Sequence, residues 1–506
     1  MATSEYGEEG GDEESVVLPS MDSGSWLTPL RMLVLFCTLN ILIYMDRGVI
    51  SSNGVSGTAG TPGEPGSGIM GAFGLTLFQA GLLPAAFMVG LLVASPAFAE
   101  ASKQWHALRL IALGLTVWLL AAAASGAAWG FYSLLAARMV VGVGEASFVA
   151  LAAPFIDDVA PPARKSSWLA AFYLCIPAGV ALGYIFGGLL AAGLGWRAPF
   201  LLEAALALPL VALLASLPPL DLRGSHSAAG QPGADSLLSS LKADALALAR
   251  LPVYVLVVAG MTCFTALLGA LSYYGPRAGR EVFDIPAPTA DVTFGGVTVF
   301  TGIVGTLIGG VALDGMGSSI HNALLLCAAG LAAGCLLLIG AFALASNFVA
   351  FMAVLALGQM CLFATMAPSN AVVLWTVPPG LRAPAMSFSV VALHVLGDVP
   401  SPPALGFLQG RLRDWRLSLS LASLLLAAGA ACYALATAPA RSATDYRAQD
   451  VATRPSLEVQ DLRDASLADS TAGAGVGGVE GMRLRLLAGQ STPNLAMLRE
   501  LEENRE

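Results

Sequence analysis

Twelve long apolar segments constrain this chain more than any other feature. A helix that crosses a membrane needs about 20 mostly apolar residues. Runs of this kind cover 30–51, 77–99, 108–128, 131–151, 167–191, 197–216, 252–273, 293–313, 322–344, 348–370, 385–409 and 417–437. The longest polar stretch between them separates the first six from the last six. We therefore predict an all-α membrane protein with twelve transmembrane helices in two bundles of six.

Charge is scarce in these segments and is concentrated outside them. Only 12% of the 506 residues are charged, whereas soluble domains contain about 25%. The predicted organisation is a disordered acidic N-terminal tail (1–28), a first bundle (29–217), a cytoplasmic linker (218–250), a second bundle (251–438) and a mostly disordered cytoplasmic C-terminal tail (439–506). The net charge of −9 belongs to the tails, so nucleic acid is not an expected partner.

Basic residues near the ends of the segments predict the orientation, because they are enriched on the cytoplasmic side. With the N-terminus in the cytoplasm, only Arg197 of the first bundle falls on the opposite side. Eight basic residues then fall in the cytoplasm, namely Arg31, Lys103, Arg109, Arg164, Lys165, Arg223, Lys242 and Arg250. The second bundle follows the rule less well. We predict that both termini are cytoplasmic.

Charged side chains inside the apolar segments are the main candidate site residues. Asp46 and Arg47 follow the apolar run of the first segment, and the fourth contains Arg138 and Glu145. A charge in hydrocarbon costs at least about 2.5–3.5 kcal/mol, so such residues are usually paired and functional. Arg138 and Glu145 are about two turns apart and share one helix face. The four charges either form structural ion pairs only, or line a central cavity and rearrange as it opens and closes. Glu203 is either a further buried acid or an interfacial one.

The eleventh segment adds a histidine and an acid. His394 and Asp398 are spaced i,i+4 and can meet on one helix face. Three prolines follow directly, at 400, 402 and 403, and should kink or break the helix and free backbone carbonyls beside a cavity. A histidine in mid-helix is more often a satisfied core residue, but the nearby carboxylate makes proton handling a second interpretation.

Glycines dominate one face of the fifth segment. Gly179, Gly183 and Gly187 recur every four residues, with Gly188 beside the last. This spacing is typical of close helix packing in membranes.

One turn of the chain resembles a known gating motif, and the motifs of common enzyme classes are absent. The turn Gly310-Val-Ala-Leu-Asp314-Gly-Met-Gly317 resembles a cytoplasmic signature of the major facilitator superfamily, and the matching turn of the first bundle carries Lys103 where an acid is expected. The latch suggested by these turns is asymmetric. The sequence has no Gly-x-x-x-x-Gly-Lys-Ser/Thr, His-Glu-x-x-His or Gly-x-Ser-x-Gly motif, so no enzyme activity is expected. The seven cysteines form no CxxC or Cys/His cluster, and neither a metal nor another cofactor is expected.

Several stretches together resemble the Spinster family of the major facilitator superfamily, in its plant-type branch of sphingolipid transporters. They include Tyr44-Met-Asp-Arg-Gly-Val-Ile-Ser-Ser-Asn-Gly54, Arg138-Met-Val-Val-Gly-Val-Gly-Glu-Ala-Ser-Phe148 and His394-Val-Leu-Gly-Asp-Val-Pro-Ser-Pro-Pro403, with 86–96, 154–158, 176–184 and 272–279. The resemblance implies a transporter of a lysolipid or sphingoid lipid, coupled to protons through the charges of the first and fourth helices. It also implies a late endosomal, lysosomal or vacuolar membrane, with mitochondrial and plasma membranes as alternatives. We expect the transporter to be a monomer.

Two other functions remain open from the residues alone. The same fold could carry a sugar or an organic anion, or the chain could be a non-transporting membrane receptor or scaffold with signalling tails. A sugar site should be rich in amides, and the spanning segments offer few, chiefly Asn40, Gln79, Gln359 and Asn370. This composition favours an apolar cargo.

Overall fold

The computed structural model describes residues 28–60, 66–102, 105–161, 165–218, 234–378, 381–440 and 445–446. All of its helices lie in one compact unit, residues 1–444. The predicted tails outside these ranges, linker residues 219–233, Lys103, Arg164 and Arg223 lie outside the described residues. Within the predicted linker, the structure has a helix at 234–249.

Seventeen α-helices and one π-helix make up the described part of the chain. They are α1 (Pro29–Ser51), α2 (Asn53–Ser56), α3 (Gly68–Phe73), α4 (Leu77–Ala101), α5 (Ala107–Gly126), α6 (Phe131–Val159), α7 (Lys165–Leu194), α8 (Ala198–Ser216), α9 (Ala234–Ala249), α10 (Pro252–Phe283), α11 (Ala287–Gly315), α12 (Ile320–Leu344), α13 (Phe348–Phe363), α14 (Met366–Trp375), α15 (Arg382–Ala392), the π-helix (Leu393–Asp398), α16 (Ser401–Leu412) and α17 (Trp415–Ala440).

Eleven of the twelve predicted segments are long and apolar enough to cross a membrane, as judged over the described residues. The tenth is formed by α13 and α14 together, Phe348–Trp375. The remaining segment, 385–409, is interrupted as its prolines predict, because α15, the π-helix and α16 share this region. The physical reason is that the prolines at 400, 402 and 403 cannot donate the backbone hydrogen bonds of an α-helix. In the π-helix the Val399 N–H donates instead to the His394 carbonyl, five residues back (3.0 Å).

The helices pack chiefly within two halves of the sequence. In the first half α1 packs on α7, α6 on both α4 and α5, and α5 on α8. In the second half α17 packs on α10 and α12, and α13 packs on α11 and α12. The halves meet along α4 with α16 and along α7 with α11. We call the face where α1 ends and α4 begins the α1-end face; α10 also ends there and α11 begins there.

Glycines of α7 let it approach α1 closely, as their spacing predicts. A Cβ atom added to Gly183 would lie 2.1 Å from the Met45 carbonyl oxygen, and one added to Gly179 would lie 2.7 Å from that of Ile41. Since neither distance is possible for a real side chain, this packing requires glycine. The contact between α1 and α7 fixes the position of α1 at the turn that carries Asp46 and Arg47.

Candidate functional site

Asp46 and Arg138 form a buried ion pair between α1 and α6. The Arg138 Nη1 donates to Asp46 Oδ1 at 2.7 Å, and Nη2 donates to Oδ2 at 2.5 Å. The side chains are 0% and 1% exposed. This two-pronged geometry is the strongest arrangement of an arginine and a carboxylate. It satisfies both oxygens of a carboxylate that has no access to solvent.

Arg47 and Glu145 form a second pair beside the first. The Arg47 guanidinium donates to Glu145 Oε1 and lies over the rings of Tyr44 (4.4 Å) and Phe87 (4.7 Å). Glu145 is fully buried, whereas 22% of the Arg47 side chain is exposed. Arg47 therefore connects the buried charges to the surface.

Close packing of α4 explains how the two pairs fit side by side. A Cβ atom on Gly142, which lies between Arg138 and Glu145 along α6, would be 2.0 Å from the Phe87 carbonyl oxygen of α4. The Phe87 ring faces both guanidinium groups, at 5.8 Å from that of Arg138 and 4.7 Å from that of Arg47. The absence of a side chain at Gly142 thus lets α4 pack directly against α6 between the two charged residues.

Glu203 on α8 is a third buried acid. It is 0% exposed, and neither carboxyl oxygen has a hydrogen-bond partner of good geometry among the described residues. Asp46, Arg138 and Glu145 all act electrostatically on it. Of the two positions left open from the sequence, the structure gives the buried one. The cluster formed by Asp46, Arg47, Arg138, Glu145 and Glu203 contains three carboxyl groups and two guanidinium groups.

His394 and Asp398 meet as their spacing predicts, but on the π-helix. The His394 Nδ1 and Asp398 Oδ2 atoms are 2.7 Å apart, and the side chains are 29% and 14% exposed. Asp398 acts electrostatically on Arg47 of the other half. Asp398 is therefore an acid of the second half whose charge reaches the cluster of the first.

Of the two predicted gating residues, the structure describes only Asp314. Asp314 is exposed at the end of α11, where its Oδ1 accepts a hydrogen bond from Ser318 (2.9 Å). Lys103 lies outside the described residues. No group of three or more His, Cys, Asp or Glu side chains suited to a metal ion occurs in the described part of the chain.

Three buried polar residues at the α1-end face are not among the predicted site residues. Asn53 of α2 bonds to Asp291 of α11, and Arg277 of α10 donates to the Gly57 carbonyl oxygen. Asp291 falls just before the predicted span 293–313, so its burial could not be anticipated. Arg277 lies inside 272–279, one of the stretches that resemble the Spinster family, and this resemblance could have marked it as a candidate.

Comparisons with known proteins agree with this architecture. Residues 36–402 match the Major Facilitator Superfamily. The chain is 43% identical over 438 residues to "Probable sphingolipid transporter spinster homolog 2" of Arabidopsis thaliana, covering 84% of this chain and 90% of that protein. It is 29% identical over 434 residues to "Protein spinster homolog 3" of Mus musculus, covering 82% of each.

A solved structure shows the same fold. The crystal structure of a bacterial homolog to the human lysosomal transporter Spinster, in its inward-facing and unoccupied conformation, superposes with a TM-score of 0.67 at 17% identity. The match covers 82% of this chain and 98% of that chain. The chain therefore has the major facilitator fold, is a multi-pass integral membrane protein, and belongs to the Spinster family of the Major Facilitator Superfamily.

Proposed function

We propose that this chain is a secondary active transporter of a lysolipid or sphingolipid, coupled to protons and working by alternating access between its two halves. The observation that carries the proposal is the buried charge cluster of Asp46, Arg47, Arg138, Glu145 and Glu203. Ionisable residues at membrane depth are costly and mark substrate or proton pathways. Transporters of this fold bind their substrates near the midplane, between the two repeats.

An amphiphilic lipid is the cargo that the side chains favour. The relatives in Arabidopsis thaliana are named as sphingolipid transporters. The amides that a sugar site would need already make hydrogen bonds within the protein. Asn40 donates to the Phe172 carbonyl (2.8 Å), Gln79 caps its own helix, Gln359 accepts from Thr301 (3.1 Å) and Asn370 donates to the Met366 carbonyl (3.0 Å).

The unequal hydrogen bonding of the acids in the cluster supports proton coupling. In this state Arg138 holds both oxygens of Asp46, while Glu203 stands nearby with no side-chain partner of good geometry among the described residues. A proton that binds to Asp46 removes the charge that holds Arg138. In the proposed cycle Arg138 then turns toward Glu203, which already acts on it electrostatically. This exchange of partners moves a guanidinium between α1 and α8 and ties protonation to helix position.

Arg47 connects this exchange to the space between the halves. It is the partly exposed member of the cluster, and it has Glu145 on its own half and Asp398 on the other. As the halves rock, Arg47 moves from one acid to the other. His394 bonds to Asp398 and, by taking up or releasing a proton, sets how strongly that acid attracts Arg47.

Uptake into vesicles tests the function directly. The purified chain is reconstituted and offered labelled lysophospholipids, sphingoid bases and hexoses, with and without an inward proton gradient. We expect uptake of a single-chain lipid that increases with the gradient, and no hexose uptake. Hexose uptake without any lipid uptake would overturn the proposed cargo. Microscopy of the tagged chain should place it in the late endosomal, lysosomal or vacuolar membrane.

A further inference from the structure

A buried carboxylate joins the two halves at the α1-end face. Asp291 of α11 is 0% exposed and accepts hydrogen bonds only from Asn53 of the first half, as far as the described residues show. The Asn53 backbone N–H lies 3.1 Å from each carboxyl oxygen, and its Nδ2 donates to Oδ1 at 2.8 Å. All three contacts cross the boundary between the halves.

A second polar contact crosses the boundary nearby. Arg277 of α10 donates from Nη1 to the carbonyl oxygen of Gly57 at 3.2 Å. Its Nε donates to Glu281, one turn further along α10, at 2.7 Å. The other oxygen of Glu281 accepts from the indole Nε1 of Trp415 at 2.5 Å. Arg277 is therefore held in position by its own half while it binds the other.

Gly57 is shaped to receive this contact. Its φ of +66° is accessible chiefly to glycine, and a Cβ atom there would lie 1.8 Å from the Ser67 carbonyl oxygen. Thr58 and Ser67 pair as an isolated antiparallel bridge just beyond it. The backbone that presents the Gly57 carbonyl is thus fixed by its own hydrogen bonds.

Two tyrosines and an apolar layer complete the closure. Tyr274 donates from its hydroxyl to the Leu77 carbonyl of the other half, and Tyr184 donates likewise to that of Ser272. Val55 and Met70 of the first half are also buried, in an apolar core that is continuous with that of the second half. The halves are therefore sealed together at this face in this state.

We propose that Asn53–Asp291 and Arg277–Gly57 form a two-point clasp that holds the α1-end face shut and that must release for this face to open. A contact that stays buried throughout the cycle would be cheaper to build from apolar side chains. A clasp made of hydrogen bonds can open, because water replaces its partners when the face is exposed. Asp291 and Arg277 are positioning residues in this scheme and touch no cargo.

The clasp predicts a change in accessibility that needs no substrate. Ser56 is 7% exposed and lines a narrow crevice together with Arg277. A Ser56→Cys reporter should therefore react slowly with a membrane-impermeant maleimide added to sealed vesicles on either side. Reaction of the seven native free cysteines is measured in the wild-type chain and subtracted.

Releasing either point should expose the reporter. With Asp291→Asn or Arg277→Gln added, we expect labelling from one side to accelerate by about tenfold or more, the factor that corresponds to losing one hydrogen bond to a charged group. Asp284→Asn makes the same charge change at the end of α10, at the same face, where the side chain is exposed, and should leave the rate unchanged. The reciprocal pair Asn53→Asp with Asp291→Asn restores an amide–carboxylate contact and should restore slow labelling.

Two labelling results would refute the proposed clasp. Labelling rates in Asp291→Asn and Arg277→Gln within twofold of the reporter alone would do so, as would an equal acceleration by Asp284→Asn. If Asp291→Asn is not recovered as a folded protein, Asn53→Ala removes only the side-chain amide and decides in the same assay. The inference rests on the proposed alternating-access cycle, but labelling is independent of cargo, so failed lipid uptake with accelerated labelling would refute the cargo alone.

Discussion

Removing Arg138 should leave Asp46 without its counter-charge in the interior of the first half. The pair is solvent-inaccessible and doubly hydrogen-bonded, so solvent screening does not weaken it. Deleting one member of such a pair costs about 3–5 kcal/mol, because the remaining charge is buried and unpaired. We therefore expect Arg138→Ala to lower the unfolding midpoint in detergent by about 5 °C or more.

The loss should depend on pH with a definite sign. In Arg138→Ala a buried carboxyl group can lose its unpaired charge by binding a proton. The same group in the unfolded chain is exposed to water and stays ionised near neutral pH. The folded variant then binds more protons than the unfolded one, so its stability rises as pH falls. Between pH 7.5 and 5.5 the deficit relative to wild type should shrink by up to about 2.7 kcal/mol, at 1.36 kcal/mol per pH unit.

Thermal unfolding followed by tryptophan fluorescence at both pH values measures these effects. Arg109→Ala removes an exposed arginine and serves as the control, with little change expected. Arg138→Ala combined with Asp46→Asn removes both charges and should recover part of the stability and lose much of the pH dependence. A wild-type midpoint for Arg138→Ala at pH 7.5 would refute the reasoning, and so would a double variant with the full pH dependence of the single one.

Three further predictions test coupling, packing and topology. Asp46→Asn should give a folded protein whose lipid uptake no longer responds to a proton gradient; an undiminished response would assign the proton to another acid of the cluster. Gly183→Ala should reduce the yield of monodisperse protein in size-exclusion chromatography, because its Cβ atom would lie 2.1 Å from a carbonyl oxygen of α1, whereas Gly193→Ala meets nothing within 4 Å; equal yields would contradict the packing argument. Single cysteines at 64 and 230, both outside the described residues, should be labelled from the non-cytoplasmic and the cytoplasmic side respectively; the reverse pattern at both would invert the topology.

The spanning helices and the charged site residues could be predicted because they contrast with their surroundings. An apolar run of about 20 residues has few alternatives to a membrane helix, and a charge within or beside such a run stands out from its neighbours. The same holds for the glycines of α7, because glycines that recur every four residues lie on one face of a helix and leave it flat. These signals are local, so one sequence is sufficient to detect them.

Which charged residues pair, and which polar residues are buried, could not be predicted, because both depend on residues distant in the sequence. Asp46 and Arg47 are adjacent, and nothing local decides which of them meets Arg138 and which meets Glu145. Asp291 lies at the end of a span, where polar residues are common, so its sequence position does not indicate burial. It is buried because α2 packs over it. The rotation and depth of neighbouring helices supply this information.

The odd number of charges in the buried cluster has an electrical consequence. Its three carboxyl and two guanidinium groups all belong to the first half. With every group ionised, that half carries one net negative charge in its interior; with one carboxyl group protonated, it carries none. A full elementary charge moved across a membrane responds to voltage by about 2.3 kcal/mol per 100 mV, and a partial displacement responds in proportion. In the proposed cycle, the cluster therefore makes rocking of the first half respond to the membrane potential when it is deprotonated, and makes no such contribution when a proton is bound.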